Sequence, residues 1–198
     1  MNYLAHAYLS FSEPEILVGN MISDFVKGKK KFDYPPNIQK GITLHRAIDE
    51  YTDHHPATKK AITFFKKEYR LYAGAFVDIV YDHFLATDKK EFADPLALKN
   101  FAATTYQTLE GYVEIFPERF KTMFPYMQEQ DWLYNYQFNE GMQKSFNGLI
   151  RRATYLTNAA PAYDLFVAHY DALKICYGEF FPELKGFAAQ QLIQLSEK

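Results

Sequence analysis

Cysteine is almost missing from this 198-residue chain. The lone Cys176 excludes internal disulfides and thiolate metal sites. It lies in an apolar helical run and reads as a buried structural thiol. Charge of either sign is never in excess. The formal net charge is −2 with 23% charged residues, so nothing global demands nucleic acid or an anionic membrane. Apolar runs never approach the roughly 18 residues a membrane span needs. The opening MNYLAHAYLSF lacks the basic start and unbroken apolar stretch of a signal peptide, and the expectation is a soluble, cytoplasmic protein. Also absent are a P-loop, GxGxxG, GxSxG and HExxH, along with alternating strands, repeats and low-complexity linkers. What these absences leave is an all-α chain forming a single helical-bundle domain over residues 1–198, a length that supports one core.

Hydrophobic residues make up 48%, which argues against disorder, and aromatics are abundant, with 18 Phe and 16 Tyr but one Trp. Such a set serves either a Phe/Tyr-packed core or an aromatic-lined cleft for a long flexible ligand. SEPE at 12–15 reads as a helix start, with Ser12 capping and Glu15 three residues on. That helix is expected to reach Lys27 and stop at Gly28, before a lysine-rich loop. Helices are further expected at 37–55, 57–70 and through AGAFVDIVYDHFLA. Others are expected near 94–114, 117–128, 130–136, 139–152, 161–180 and 183–196, punctuated by prolines.

Ionisable residues fall where apolar ones belong. At about 100° per residue with Ile38 at zero, Ile42 lies at about 40°, His45 at about 340° and Asp49 at about 20°. His45 and Asp49 therefore share the apolar direction, and Arg46 lies at its edge near about 80°. A helical pair at this spacing also forms simple surface contacts worth a few tenths of a kcal/mol. AGAFVDIVYDHFLA is apolar on nearly all sides yet holds Asp78, Asp82 and His83. A buried carboxylate there costs several kcal/mol unless it is paired or binds a metal. Asn20 and Asp24 repeat the four-residue spacing, and His6 sits among Leu4, Ala5, Ala7 and Leu9. A lone inward histidine is usually a satisfied core residue; four segments each donating inward His or Asp point to a shared polar site. Mixed carboxylates and imidazoles suit Mn2+, Mg2+ or Fe2+ and metal-assisted phosphoryl hydrolysis. Arg46 or a lysine would steady phosphate charge.

The segments MNYLAHAYLS, VGNMISDFVKG, GITLHRAIDEYTD and YDHFL, in that order, with the later NGLIRR and AHYDAL, resemble the acyl carrier protein phosphodiesterase family across nearly the whole chain. That family is an unusual branch of the HD-type phosphatases and phosphodiesterases. The resemblance implies an all-helical, HD-like, Mn2+-dependent enzyme, with Mg2+ or Fe2+ as substitutes. Its reaction cuts 4′-phosphopantetheine from the serine of holo acyl carrier protein. The ordinary adjacent His-Asp signature is missing, and DH at 82–83 is its reverse.

Within the matched segments, His6, Asp24, His45 and Asp82 are the expected metal ligands, with His83 as a further ligand or proton carrier. Asp49 is expected to orient His45, and Asp24 or Asp49 to position water. Asn20 and Arg46 are expected to meet substrate, and Lys27, Lys29 and Lys30 to dock an acidic carrier protein. His54 and His55 read as helix-end residues. Two other functions fit the residues: hydrolysis of a nucleotide or small phosphodiester, and a helical binding protein whose polar network only fixes helix register.

Overall fold

The computed structural model describes residues 1–153, 156 and 158–197. Among them are eleven α-helices, several short 3₁₀ turns and no strand. The helices are α1 (Tyr3–Tyr8), α2 (Pro14–Ile22), α3 (Pro36–His54), α4 (Pro56–Tyr69), α5 (Ala73–Thr87) and α6 (Pro95–Glu110). They continue as α7 (Glu118–Glu129), α8 (Trp132–Asn135), α9 (Asn139–Arg152), α10 (Ala160–Ala168) and α11 (Tyr170–Ser196). No helix among the described residues is long and apolar enough to cross a membrane.

Apolar patterning places α5 at the centre. Phe76, Val77, Val80, Tyr81 and Leu85 are fully buried, and α1, α4, α9 and α11 pack around it. Most large aromatics serve this core: Phe65, Phe76, Phe84, Phe146, Phe166, Phe180 and Phe181 are all buried, with Phe65 and Phe76 stacked at 5.9 Å. Buried Cys176 belongs to the same core.

Two glycines set the geometry that matters for the site. A Cβ on Gly19 would lie 2.1 Å from the Ile38 carbonyl oxygen, and one on Gly41 would lie 2.3 Å from that of Ile16. Only hydrogen at both positions lets the α2 and α3 backbones touch. This contact brings Asn20 and Asp24 over His45.

Three expected boundaries shift. Ser12 does not cap α2: Phe11 and Ser12 make the turn with φ of 51° and 62°, and Glu13 takes the cap position without a side-chain bond. The helix expected to reach Lys27 ends at Ile22, tightens into a 3₁₀ turn at Ser23–Phe25, and leaves Val26 extended. The lysine-rich loop is itself a 3₁₀ segment, Gly28–Asp33. At the other end, Pro182 does not separate two helices. The break falls at His169, whose ring stacks on Phe64 at 4.6 Å, and α11 runs on through the proline. Buried Phe180, Phe181 and Leu184 on either side hold the helix together there. Their burial outweighs the roughly 3 kcal/mol cost of an interior proline.

Candidate metal centre

Four elements deliver side chains to one place. α1 brings His6, α2 brings Asn20, the 3₁₀ turn brings Asp24, and α3 brings His45 and Asp49. The two imidazoles are stacked, with centroids 3.9 Å apart and planes at 15°. Asp49 spans them: its Oδ1 lies 3.1 Å from His6 Nε2 and its Oδ2 lies 3.1 Å from His45 Nε2. Asp24 Oδ1 approaches the same His45 nitrogen at 3.1 Å. Among the described residues, His6, His45 and Asp49 are the group whose ligand atoms all lie within 4.8 Å of one another.

Asn20 fixes the tautomers. Its carbonyl oxygen stands 2.7 Å from His45 Nδ1, so that nitrogen must carry hydrogen. The carbonyl is free for this because it belongs to the last turn of α2, where helical partners run out. The Asn20 side-chain nitrogen donates to the His6 carbonyl at 2.9 Å and to Ser10 Oγ at 3.1 Å, which turns its oxygen toward His6 Nδ1 at 2.8 Å. His6 Nδ1 therefore donates as well. Both Nε2 atoms, when neutral, then face the carboxylates with lone pairs. Lone pairs and carboxylate oxygens at 3.1 Å repel unless a proton or a cation sits between them. The donor set, two imidazoles and a carboxylate held from behind, fits a divalent ion such as Mn2+.

The electrostatics agree. Burial works against charge on His45, but Asp24 and Asp49 outweigh it and raise the imidazole to about 9. Burial and the neighbouring His45 charge lower His6 to about 4, against the pull of Asp49. Burial works against the Asp49 charge too, but the two histidines hold its carboxyl well below the usual range. His45 likewise depresses Asp24, which is open to solvent with 65% of its side chain exposed. Arg46 lies beside this group, exposed, its guanidinium donating to the Val26 carbonyl at 2.9 Å.

Several expected assignments change. Asp82 is not turned toward the cluster. It is fully buried and accepts from the Leu4 and Ala5 amides at 2.7 and 3.3 Å, so its carboxylate satisfies the start of α1. His83 faces the other side of α5, with Nδ1 2.8 Å from the Tyr136 carbonyl and Nε2 3.2 Å from the Tyr170 hydroxyl. Its adjacency to Asp82 in sequence points it away in space. Asn20 is fully buried and holds the histidines, with no surface for substrate. Asp49 bridges the Nε2 edges of the two stacked rings as a direct member of the group. Lys27, Lys29 and Lys30 are exposed just after Asp24. His54 and His55 close α3, and His55 Nδ1 accepts from the Ala57 amide at 3.2 Å.

One connection has no signal in sequence periodicity. The Met1 amino group lies 3.4 Å from Asp49 Oδ1 and 3.2 Å from Asp78 Oδ1, linking Asp78 to the cluster.

The fold and site together are an all-α bundle that carries a polar histidine–aspartate centre whose donor set could hold a divalent ion. The sequence profile of the acyl carrier protein phosphodiesterase family matches residues 1–184, and the chain belongs to that family. Relatives named acyl carrier protein phosphodiesterase from Salmonella paratyphi A and Salmonella dublin are each 31% identical to it over 193 residues. The matches cover 98% of this chain and 100% of each relative. No solved structure matches the chain.

Proposed function

We propose that this chain is a cytoplasmic, metal-dependent phosphodiesterase acting on holo acyl carrier protein. Water adds to phosphorus, the phosphorus–serine oxygen bond breaks, and the serine oxygen takes up a proton. The products are apo carrier protein and 4′-phosphopantetheine. The observation that carries this reading is the pair of Nε2 atoms aimed at Asp49, with Asn20 holding both rings in the ligating tautomer.

His6, His45 and Asp49 would hold the ion, with Asp24 beside His45. Mn2+ is the expected ion; Fe2+ is a substitute that suits the two imidazoles, and Mg2+ is one that would lean on the carboxylates and water. A bound divalent ion supplies Lewis-acid stabilisation of phosphoryl charge and acidifies water. Asp24, kept ionised by His45 and open to solvent, would orient the attacking water through its carboxylate. Arg46, steadied by the Val26 carbonyl, stabilises charge developing on the phosphoryl oxygens. Lys27 and Lys29 offer positive charge to an acidic carrier beside this centre.

Mass spectrometry of holo carrier protein incubated with the chain and Mn2+ tests the reading. Loss of the phosphopantetheine mass is expected. An unchanged mass under Mn2+, Mg2+ and Fe2+ overturns it. Preference for a small chromogenic diester over the carrier would transfer the site to small-phosphodiester chemistry.

A further inference from the structure

Two of the surface clefts among the described residues are of similar size. One, about 320 Å³, lies around Asn135, Gly141 and Lys144 and includes no member of the metal-centre group. The other, about 350 Å³, is lined by Phe25, Val26, Lys30, Tyr34, Pro117 and Arg119 together with the acidic Asp33 and Glu118. This second cleft begins one residue after Asp24. Its Val26 wall is tied to the centre, because Arg46 donates to the Val26 carbonyl at 2.9 Å. Phe25 rests against fully buried Phe120 with centroids 5.5 Å apart, so the apolar side of the cleft is backed by core.

Resting on the carrier-protein reading, we infer that this cleft receives the pantetheine arm of the substrate while the phosphodiester sits at the histidine–aspartate centre. Its volume lies in the roughly 300–1,000 Å³ range of small-molecule sites. Its chemistry matches an arm that alternates methyl-bearing carbon with amides and a hydroxyl. Phe25, Val26 and Pro117 supply apolar surface, and Lys30, Tyr34 and Arg119 supply hydrogen-bonding groups at the edges. Arg46 then stands at the junction between phosphate and arm. Lys30 meets the arm, which leaves Lys27 and Lys29 for the carrier. An enzyme built this way reads the prosthetic group as well as the protein that bears it, so remote binding energy contributes to turnover at phosphorus.

The test combines direct binding with kinetics on the full chain. Pantetheine, which lacks the phosphate, is titrated calorimetrically into the wild-type chain and into Tyr34→Ala, Arg119→Trp and the remote control Lys144→Ala. All variants are first checked by circular dichroism melts. Pantetheine should bind the wild type and the control alike, and about tenfold more weakly to the two cleft variants. The KM for holo carrier protein should rise about tenfold in the same two variants. Folded cleft variants with unchanged pantetheine affinity and unchanged KM overturn the inference and leave the proposed reaction standing. A wild type that binds pantetheine through Tyr34 and Arg119 yet releases nothing from holo carrier overturns the reaction and keeps the cleft. Absence of pantetheine binding to the wild type overturns the cleft outright.

Discussion

A proton and a metal ion compete for His45 Nε2. In the metal-free chain burial disfavours the imidazolium, but Asp24 and Asp49 overcome it and hold the group near 9. A raised histidine stabilises the fold fully below its ordinary value near 6.5, and that contribution fades as pH rises toward about 9. Binding an ion at Nε2 must expel the proton. Mn2+ should therefore raise the melting temperature more at pH 8.5 than at pH 6.5. Calorimetry in two buffers of different ionisation enthalpy should register release of about one proton per ion near pH 7.5. Ion binding with no proton release would remove His45 Nε2 from the ligand set. Asn20 supplies a second check. Asn20→Ala unties the His6 ring while keeping the backbone carbonyl that holds His45, and Mn2+ affinity should fall by about 10–100-fold, as it does when a group that orients a metal ligand is lost. Asp82→Ala should behave differently. It strips the acceptor from the Leu4 and Ala5 amides, and urea unfolding should show a loss of about 1–3 kcal/mol. If Asp82→Ala removes Mn2+ binding while stability is unchanged, its assignment to the start of α1 is wrong.

At the scale of elements, the meeting of α2 with α3 decides whether the centre exists. Gly19→Ala or Gly41→Ala would drive a methyl group into backbone at 2.1 or 2.3 Å, where no side chain can swing aside. Either should cost about 3 kcal/mol or more in denaturant unfolding. Either should also weaken Mn2+ binding by separating Asn20 from His45. A stable variant with intact metal affinity would show that the close approach is dispensable. Sequence periodicity made part of this legible. His45 and Asp49 shared a direction with Ile38 and Ile42, and the structure brings both into the centre. The same periodicity could not show that α2 stops at Ile22, because the tightening into 3₁₀ geometry answers to contact with α3. Nor could it tell Asp82 from Asp49. Both are carboxylates on buried helix faces, and only the fold shows that one meets backbone amides and the other meets imidazoles. Pro182 misled for a related reason: a local break signal was overruled by burial on both sides of it. Asn20 was visible as an inward polar residue, but its use as a clamp for two rings depends on the helix end supplying a free carbonyl.

On the scale of the whole molecule, a chain with net charge −2 is proposed to bind an acidic protein. Net charge does not decide this; its distribution does. Lys27, Lys29 and Lys30 are exposed on the short segment that leads away from Asp24, next to the cleft and the centre. Long-range attraction from such a patch is screened over about 8–10 Å near physiological ionic strength. It therefore acts chiefly on encounter, with little influence on the chemical step. Raising salt from about 50 to about 500 mM should then lower kcat/KM for holo carrier protein, mainly through KM. Hydrolysis of a small neutral-tailed diester should show a smaller salt effect. Charge reversal at Lys27 and Lys29 should reproduce the high-salt KM at low salt and flatten the remaining salt dependence. The steering patch would be placed elsewhere if the double reversal left both KM and its salt dependence as in the wild type. The exposed lysines of α4, Lys59, Lys60, Lys66 and Lys67, would then be the next surface to reverse.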